Sequence, residues 1–216
     1  MGLALFDMDR TLVRKDTATL YVRYQRDEGR AGLKQSLKVA WWLLQYTAGV
    51  IDAPRVAEEA LADFKGKAES WMREDCERWF EAYVVPHVGT RARQVVEEHR
   101  KSGDELAIVT GATAYAAEPL ARLLGIDHVI CTQLEVDRDG LFTGRVVPPM
   151  CYGEGKIALT ESYLGHLGLQ PETATFYSDS ITDLPLLSYV RTPVVVNPDR
   201  RLRKAAESRG WPIESW

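Results

Sequence analysis

Four short clusters hold the residues able to do chemistry. Asp7-Met8-Asp9-Arg10-Thr11 sets two carboxylates and a hydroxyl at alternate positions, and Thr110-Gly111 closes an apolar run. Gly155-Lys156 opens a helical pattern, and Asp179-Ser180-Ile181-Thr182-Asp183 carries two more carboxylates. This content suits phosphoryl transfer. Mg²⁺ takes oxygen ligands and is usually held by one or two carboxylates with phosphate and water. A metal and a lysine together offset charge on the transferring group. One carboxylate can attack phosphorus, and a second can protonate the leaving oxygen and then activate water. Each cluster also has a plainer reading. Asp and Thr are common in turns and helix caps, Asp183 suits the cap of a helix near Pro185, and Thr110 suits a strand end. An isolated lysine is ordinarily solvated. The order of the clusters along the chain favours chemistry.

The elements that must position these residues are legible around them. Leu3–Phe6 is an apolar run that stops in acid, which reads as a buried strand with a reactive C-terminal tip. Beyond Pro86 the pattern alternates. A helix face at Ala92, Val95, Val96 and His99 precedes a strand at Glu105–Thr110, a helix at Ala116–Leu124 and a strand at His128–Thr132. Leu134–Val147 reads as a hairpin around Asp139-Gly140. A helix at Gly155–Leu167, strands at Ala174–Ser178 and Pro193–Val196, and a last helix to about Ser208 complete the series. Strands separated by helices predict an α/β fold with a doubly wound parallel sheet. In such sheets the ligand crevice lies beyond the carboxyl ends of the strands. Three of the clusters would meet there, with Lys156 reaching in from a helix start.

From Asp16 to about Tyr83 the pattern is helical throughout. Met72, Cys76, Trp79, Phe80 and Tyr83 share one face, and Val56, Ala60, Leu61 and Phe64 make a second stripe. Asp52-Ala53-Pro54 resembles a helix start. The segment holds four of the six tryptophans, Trp41, Trp42, Trp71 and Trp79. Residues 16–83 therefore read as a helical cap inserted into a core made of 1–15 and 84–216. Within it, Val39–Tyr46 with Lys34 and Lys38 has two readings: packed core of the cap, or an apolar face for a lipid-like substrate or membrane surface.

Composition bounds the alternatives. The chain has 216 residues, 45% hydrophobic and 27% charged, enough for a buried core. A net charge of −4 argues against nucleic acid as partner. Cys76, Cys131 and Cys151 form no CxxC pair and read as reduced thiols, and the four histidines show no zinc spacing. The chain enters a strand at once, without a basic leader, so a cytoplasmic location is expected.

With these motifs in this order, the sequence resembles the haloacid dehalogenase superfamily of phosphatases, and within it the phosphoserine phosphatase-like proteins whose helical cap follows the first motif. The resemblance spans essentially the whole chain. It implies Asp7 as nucleophile, Asp9 as general acid/base, and Lys156 as the cation steadying nucleophile and phosphate. It implies Mg²⁺ held by Asp7, the Asp9 carbonyl and Asp179, with Asp183 holding the metal's water shell. Thr11 would support the Asp9 loop, Thr110 and Gly111 would bind phosphate, and Asp16 would face the substrate's leaving group. The implied substrate is a small-molecule phosphomonoester. Two positions depart from phosphoserine phosphatases: Thr182 stands for Asn, and Asp16 for Glu. The cap arginine that would meet a serine carboxylate is open among Arg23, Arg26, Arg30, Arg55, Arg73 and Arg78. A phosphotransferase using the same aspartyl-phosphate, and a non-enzymatic phospho-aspartate switch, are the rival readings. Asp9 has work to do only where a leaving group must be protonated, which disfavours the switch.

Overall fold

The fold is built outward from β1 (Leu3–Phe6), whose alternate side chains enter two different cores. Ala4 and Phe6 face one, with Ile108 and Val196; Leu3 and Leu5 face the other, with Ala107, Val109 and Val195. A strand buried on both faces is the pattern of a sheet sandwiched between helices. This computed structural model describes residues 2–30, 61–170 and 173–216. The stretch Val39–Tyr46, Lys34, Lys38, Asp52–Pro54, Arg55, Val56 and Ala60 lies outside them.

The sheet has seven strands in the order β4-β3-β2-β1-β5-β6-β7. Here β2 is Glu105–Thr113, β3 His128–Val136, β4 Phe142–Val147, β5 Ala174–Ser178, β6 Thr192–Val196 and β7 Ile213–Glu214. All neighbours are parallel except β3 and β4, the hairpin at one edge. The chain is thus the doubly wound α/β fold that the alternation predicts. β3 differs from expectation by running unbroken to Val136, so one strand serves both the parallel sheet and the hairpin. β7 is two residues long, too short to leave a periodic signal.

Helices α1 (Thr17–Asp27) and α2 (Glu69–Trp79) lie between β1 and β2 in sequence. α2 continues into a π turn, Phe80–Val84, and both Trp79 and Phe80 at the junction are buried. Then follow α3 (Thr90–Lys101), α4 (Ala114–Leu124), α5 (Glu154–Leu167), α6 (Leu184–Tyr189) and α7 (Arg200–Arg209). α4 and α5 end on left-handed Gly125 and Gly168, which satisfy the last carbonyls without a Cβ clash.

Two backbone seams tie the α1–α2 region to the sheet. Val13 and Val88 form an antiparallel bridge, flanked by Arg14 N–H to the His87 carbonyl (2.9 Å) and Gly89 N–H to the Leu12 carbonyl (3.0 Å). Ala68 bridges Leu141 at the hairpin, with Gly66 and Phe142 N–H donating to Phe142 and Lys67 carbonyls at 2.8 and 3.0 Å. Inside the region, buried Asp75 accepts from Tyr24 (2.8 Å), Arg30 (2.6 Å) and Arg78 (3.1 Å), joining α1 to α2. The three cysteines are free and buried. No helix among the described residues is long and apolar enough to cross a membrane.

Candidate active site

Strands β2, β1 and β5 are adjacent, so their C-terminal tips share one edge. There a cavity of about 270 Å³ is lined by Asp7, Asp9, Asp16, Thr110, Gly111 and Asp179, among others. Ladder bonding carries β1 one residue beyond its apolar run: the Asp7 N–H donates to the Tyr177 carbonyl at 2.9 Å. The following loop turns at Arg10, a non-glycine residue at φ 54°. Asn197, itself at φ 43°, donates its side-chain amide to the Arg10 carbonyl (3.3 Å). Left-handed backbone at non-glycine residues is disfavoured and persists where surrounding bonds over-determine it.

Lys156 is the hinge of the charge arrangement. It is 2% exposed and its Nζ donates to Asp7 Oδ1 and Asp183 Oδ2, each at 2.8 Å. The Ser178 hydroxyl donates to the same Asp183 oxygen at 2.7 Å. Asp183 is therefore held by Lys156 and Ser178, and neither Asp183 nor Lys156 is among the cavity-lining residues. Both reach the cavity through Asp7. Gly155, just before Lys156, is required sterically: a Cβ there would lie 2.0 Å from the Met150 carbonyl oxygen.

Asp9 and Asp16 meet at the start of α1. The Thr17 N–H donates to Asp9 Oδ1 at 2.8 Å, while Asp16 caps the helix, accepting from Thr19 N–H (2.9 Å) and hydroxyl (3.1 Å). Asp16 thus has the capping role and a place on the cavity wall together. The Thr110 hydroxyl accepts from Ala112 N–H at 3.1 Å, where the β2–β3 register slips. Thr11 does not line the cavity: it is buried, and its hydroxyl has no hydrogen-bond partner. Sequence reasoning passed over Ser178, Tyr152, Met150 and Asp199. Ser178 and Asp199 carried a faint signal, a hydroxyl directly before Asp179 and an acid after Pro198 at a helix start. Asp199 lines the cavity and accepts from the Ile181 N–H at 2.8 Å. Met150 and Tyr152 lie in irregular chain that leaves no pattern.

The carboxylates crowd one another. Burial pushes the Asp7 carboxyl up to about 6, with Lys156 opposing and Asp183 adding to the rise. Burial, reinforced by Asp16 and Asp7, pushes Asp9 up to about 8 against the Thr17 hydrogen bond. Asp179 is raised well above the usual range by burial and by Asp7 and Asp183, with Arg10 only partly opposing. No three His, Cys, Asp or Glu side chains among the described residues converge as a ready-made metal cage. The donors on the wall are carboxylate oxygens short of positive charge, a set that fits a hard cation completed by backbone carbonyl, phosphate and water.

None of the described candidate arginines lines this cavity. Arg30 and Arg78 pair with Asp75, Arg73 with Glu69 and Glu118, and Arg23 and Arg26 with Asp27.

Comparison with known proteins follows the same lines. The family model for haloacid dehalogenase-like hydrolases matches residues 4–188. A histidinol-phosphatase of Neisseria meningitidis serogroup C is 33% identical over 98% of this chain and 97% of its own length. A phosphoserine phosphatase of Mycobacterium tuberculosis is 30% identical over 99% of this chain and 70% of its own length. A Bordetella pertussis protein of unknown function superposes with a TM-score of 0.88 at 32% identity, covering 98% of this chain and 97% of that one. A phospho-aspartyl intermediate analogue of phosphoserine phosphatase shares the fold, with a TM-score of 0.74 at 19% identity over 99% and 92% of the two chains. The chain belongs to the haloacid dehalogenase-like hydrolase family, and several of its relatives are named phosphatases.

Proposed function

We propose, from that membership, that the chain is a Mg²⁺-dependent phosphomonoester hydrolase acting on a small phosphorylated metabolite through a phosphorylated Asp7. The observation that carries this reading is the Lys156 bridge. A buried cation 2.8 Å from Asp7 holds the nucleophile's carboxylate in one orientation with its second oxygen left for attack. Asp7 attacks phosphorus, the bond from phosphorus to the substrate oxygen breaks, and the Asp9 proton passes to that oxygen. A carboxyl pushed up to about 8 still holds its proton at neutral pH, as a general acid must. Asp9, now ionised, takes a proton from water, which attacks phospho-Asp7 and releases phosphate. Thr110 and the Gly111 main chain, both on the cavity wall, are the proposed phosphate contacts. Asp7 and Asp179, with the Asp9 carbonyl, are the proposed holders of Mg²⁺, and Asp183 acts beyond them. When bound, the ion offsets charge on the phosphoryl group as it transfers. Residues 16–83 are proposed as the cap that excludes water and selects the substrate. The names of the Neisseria and Mycobacterium relatives point to histidinol phosphate and phosphoserine as substrate types.

The test is phosphate release from a panel of phosphomonoesters by the wild type and Asp7→Asn, with magnesium and with excess chelator. Turnover in the wild type with magnesium alone is expected, with a loss of at least 1,000-fold on order of magnitude in the variant, the scale seen when a nucleophile is removed. Equal rates in the two proteins would refute the mechanism.

A further inference from the structure

A second cavity of about 250 Å³ adjoins the first and shares Thr17, Ala18, Gly111 and Ala112 with it. The shared residues mark where the substrate's ester oxygen would pass, so this chamber is the space open to the leaving group. Its character is unlike the first. Tyr21, Phe64, Met72, Cys76, Trp79 and Tyr115 contribute to the walls, and no described residue lining it is charged. The two phenol oxygens are tied back, Tyr21 to Asp75 at 3.3 Å and Tyr115 to Glu69 at 3.1 Å. Tyr21 and Trp79 meet edge to face, with centroids 5.4 Å apart. One polar atom is left over: Trp79 Nε1 is buried without a hydrogen-bond partner. That nitrogen has no accessible surface, so it is not a contact for anything seated in the chamber.

Resting on the phosphatase reading above, we infer that the chamber selects a leaving group bearing an aromatic ring, held against the Tyr21, Phe64, Trp79 and Tyr115 walls. The space suffices, since an apolar cavity of about 150 Å³ already admits benzene. Aromatic walls favour a planar ring in edge or offset contact. Of the two phosphates suggested by the relatives' names, histidinol phosphate carries a ring and phosphoserine does not.

The experiment compares kcat/KM with magnesium for ethyl phosphate, benzyl phosphate and O-phosphoserine. All three have primary alkoxide leaving groups. Benzyl phosphate is expected to exceed ethyl phosphate and phosphoserine at least tenfold. Ala116→Leu, which fills the chamber from α4 while keeping a good helix former, should bring the benzyl-to-ethyl ratio near one. Phosphoserine as the best ester, or a benzyl-to-ethyl ratio near one in the wild type, would overturn the inference while leaving the phosphatase reading standing. A ratio unmoved by Ala116→Leu would overturn it too. No turnover of any ester would overturn both.

Discussion

Lys156 and Asp7 are 149 positions apart in sequence and 2.8 Å apart in space, and the lysine's second contact, to Asp183, has the same length. One buried cation thus serves two buried acids. Lys156→Met should lower kcat by about 100-fold or more, the scale of losing one preorganised charge at a transferring group. It should also destabilise the fold by about 3 kcal/mol at pH 8, since removing one partner of a buried pair strands the other. At pH 5 the loss should shrink, because Asp7 can then take up a proton. Initial rates and urea unfolding at the two pH values check both parts.

The crowded carboxyls set a pH dependence of stability in the metal-free protein. Asp7, Asp9 and Asp179 all have folded pKa values above the ordinary 3.8. The folded state therefore binds more protons than the unfolded state above that value, and stability falls as pH rises. The expected window runs from about 4 to about 8, the upper end being set by Asp9. Melting temperature in excess chelator should decline across it, and Asp179→Asn should raise the value at pH 8.

Magnesium should reverse that decline. Cation binding needs ionised ligands, so protons held by Asp7 and Asp179 must leave. Calorimetry in two buffers of different ionisation enthalpy should register proton release at pH 6.5, less at pH 8.5, and tighter binding at the higher pH. Heat independent of buffer would count against these residues as the cation's ligands.

Asp16 acts on Asp9 through charge. Asp16→Asn keeps a good helix cap, so stability should change by less than about 0.5 kcal/mol. Removing the negative charge should make Asp9 more acidic. The alkaline limb of the kcat/KM profile should then move to lower pH, a shift that a purely capping role would not produce. Asp16→Ala should add a stability loss of about 1 kcal/mol.

Two glycines on α5 make a matched pair. Gly155→Ala would set a Cβ 2.0 Å from the Met150 carbonyl, forcing backbone apart beside Lys156, whereas Gly165 has open space around it. Gly155→Ala should cost about tenfold or more in kcat, a displacement of the lysine's anchor point. Gly165→Ala should stabilise the helix by about 0.5–1 kcal/mol with activity kept. Rates and melting curves of the two variants separate site geometry from helix propensity.

The fold was legible where burial imposes a period. β1, β5 and β6 are short apolar runs between turn signals, and the Asp139-Gly140 hairpin declares itself by its turn. α4 begins at Ala114, before the periodic stretch, and carries Pro119 in its interior, where composition argues against helix. Asp75 was invisible: an acid among charged neighbours on α2 reads as a solvated face, yet it is fully buried under Tyr24, Arg30 and Arg78. The same holds for the site. Asp7, Asp9 and Asp179 stand out because acids directly follow apolar strands. Ser178, held within β5, and Trp79's unpaired nitrogen depend on tertiary neighbours that no local pattern encodes.

The bridge between Val13 and Val88 has a wider consequence. The chain leaves the sheet and returns to it at one doorway, closed by two backbone hydrogen bonds that involve no side chain from the excursion between them. Lengthening such an excursion adds little entropy cost, about 0.6 kcal/mol per doubling. The hairpin seam at Ala68 and Leu141 is likewise made by main chain, so the side chains of the excursion can vary without disturbing either attachment.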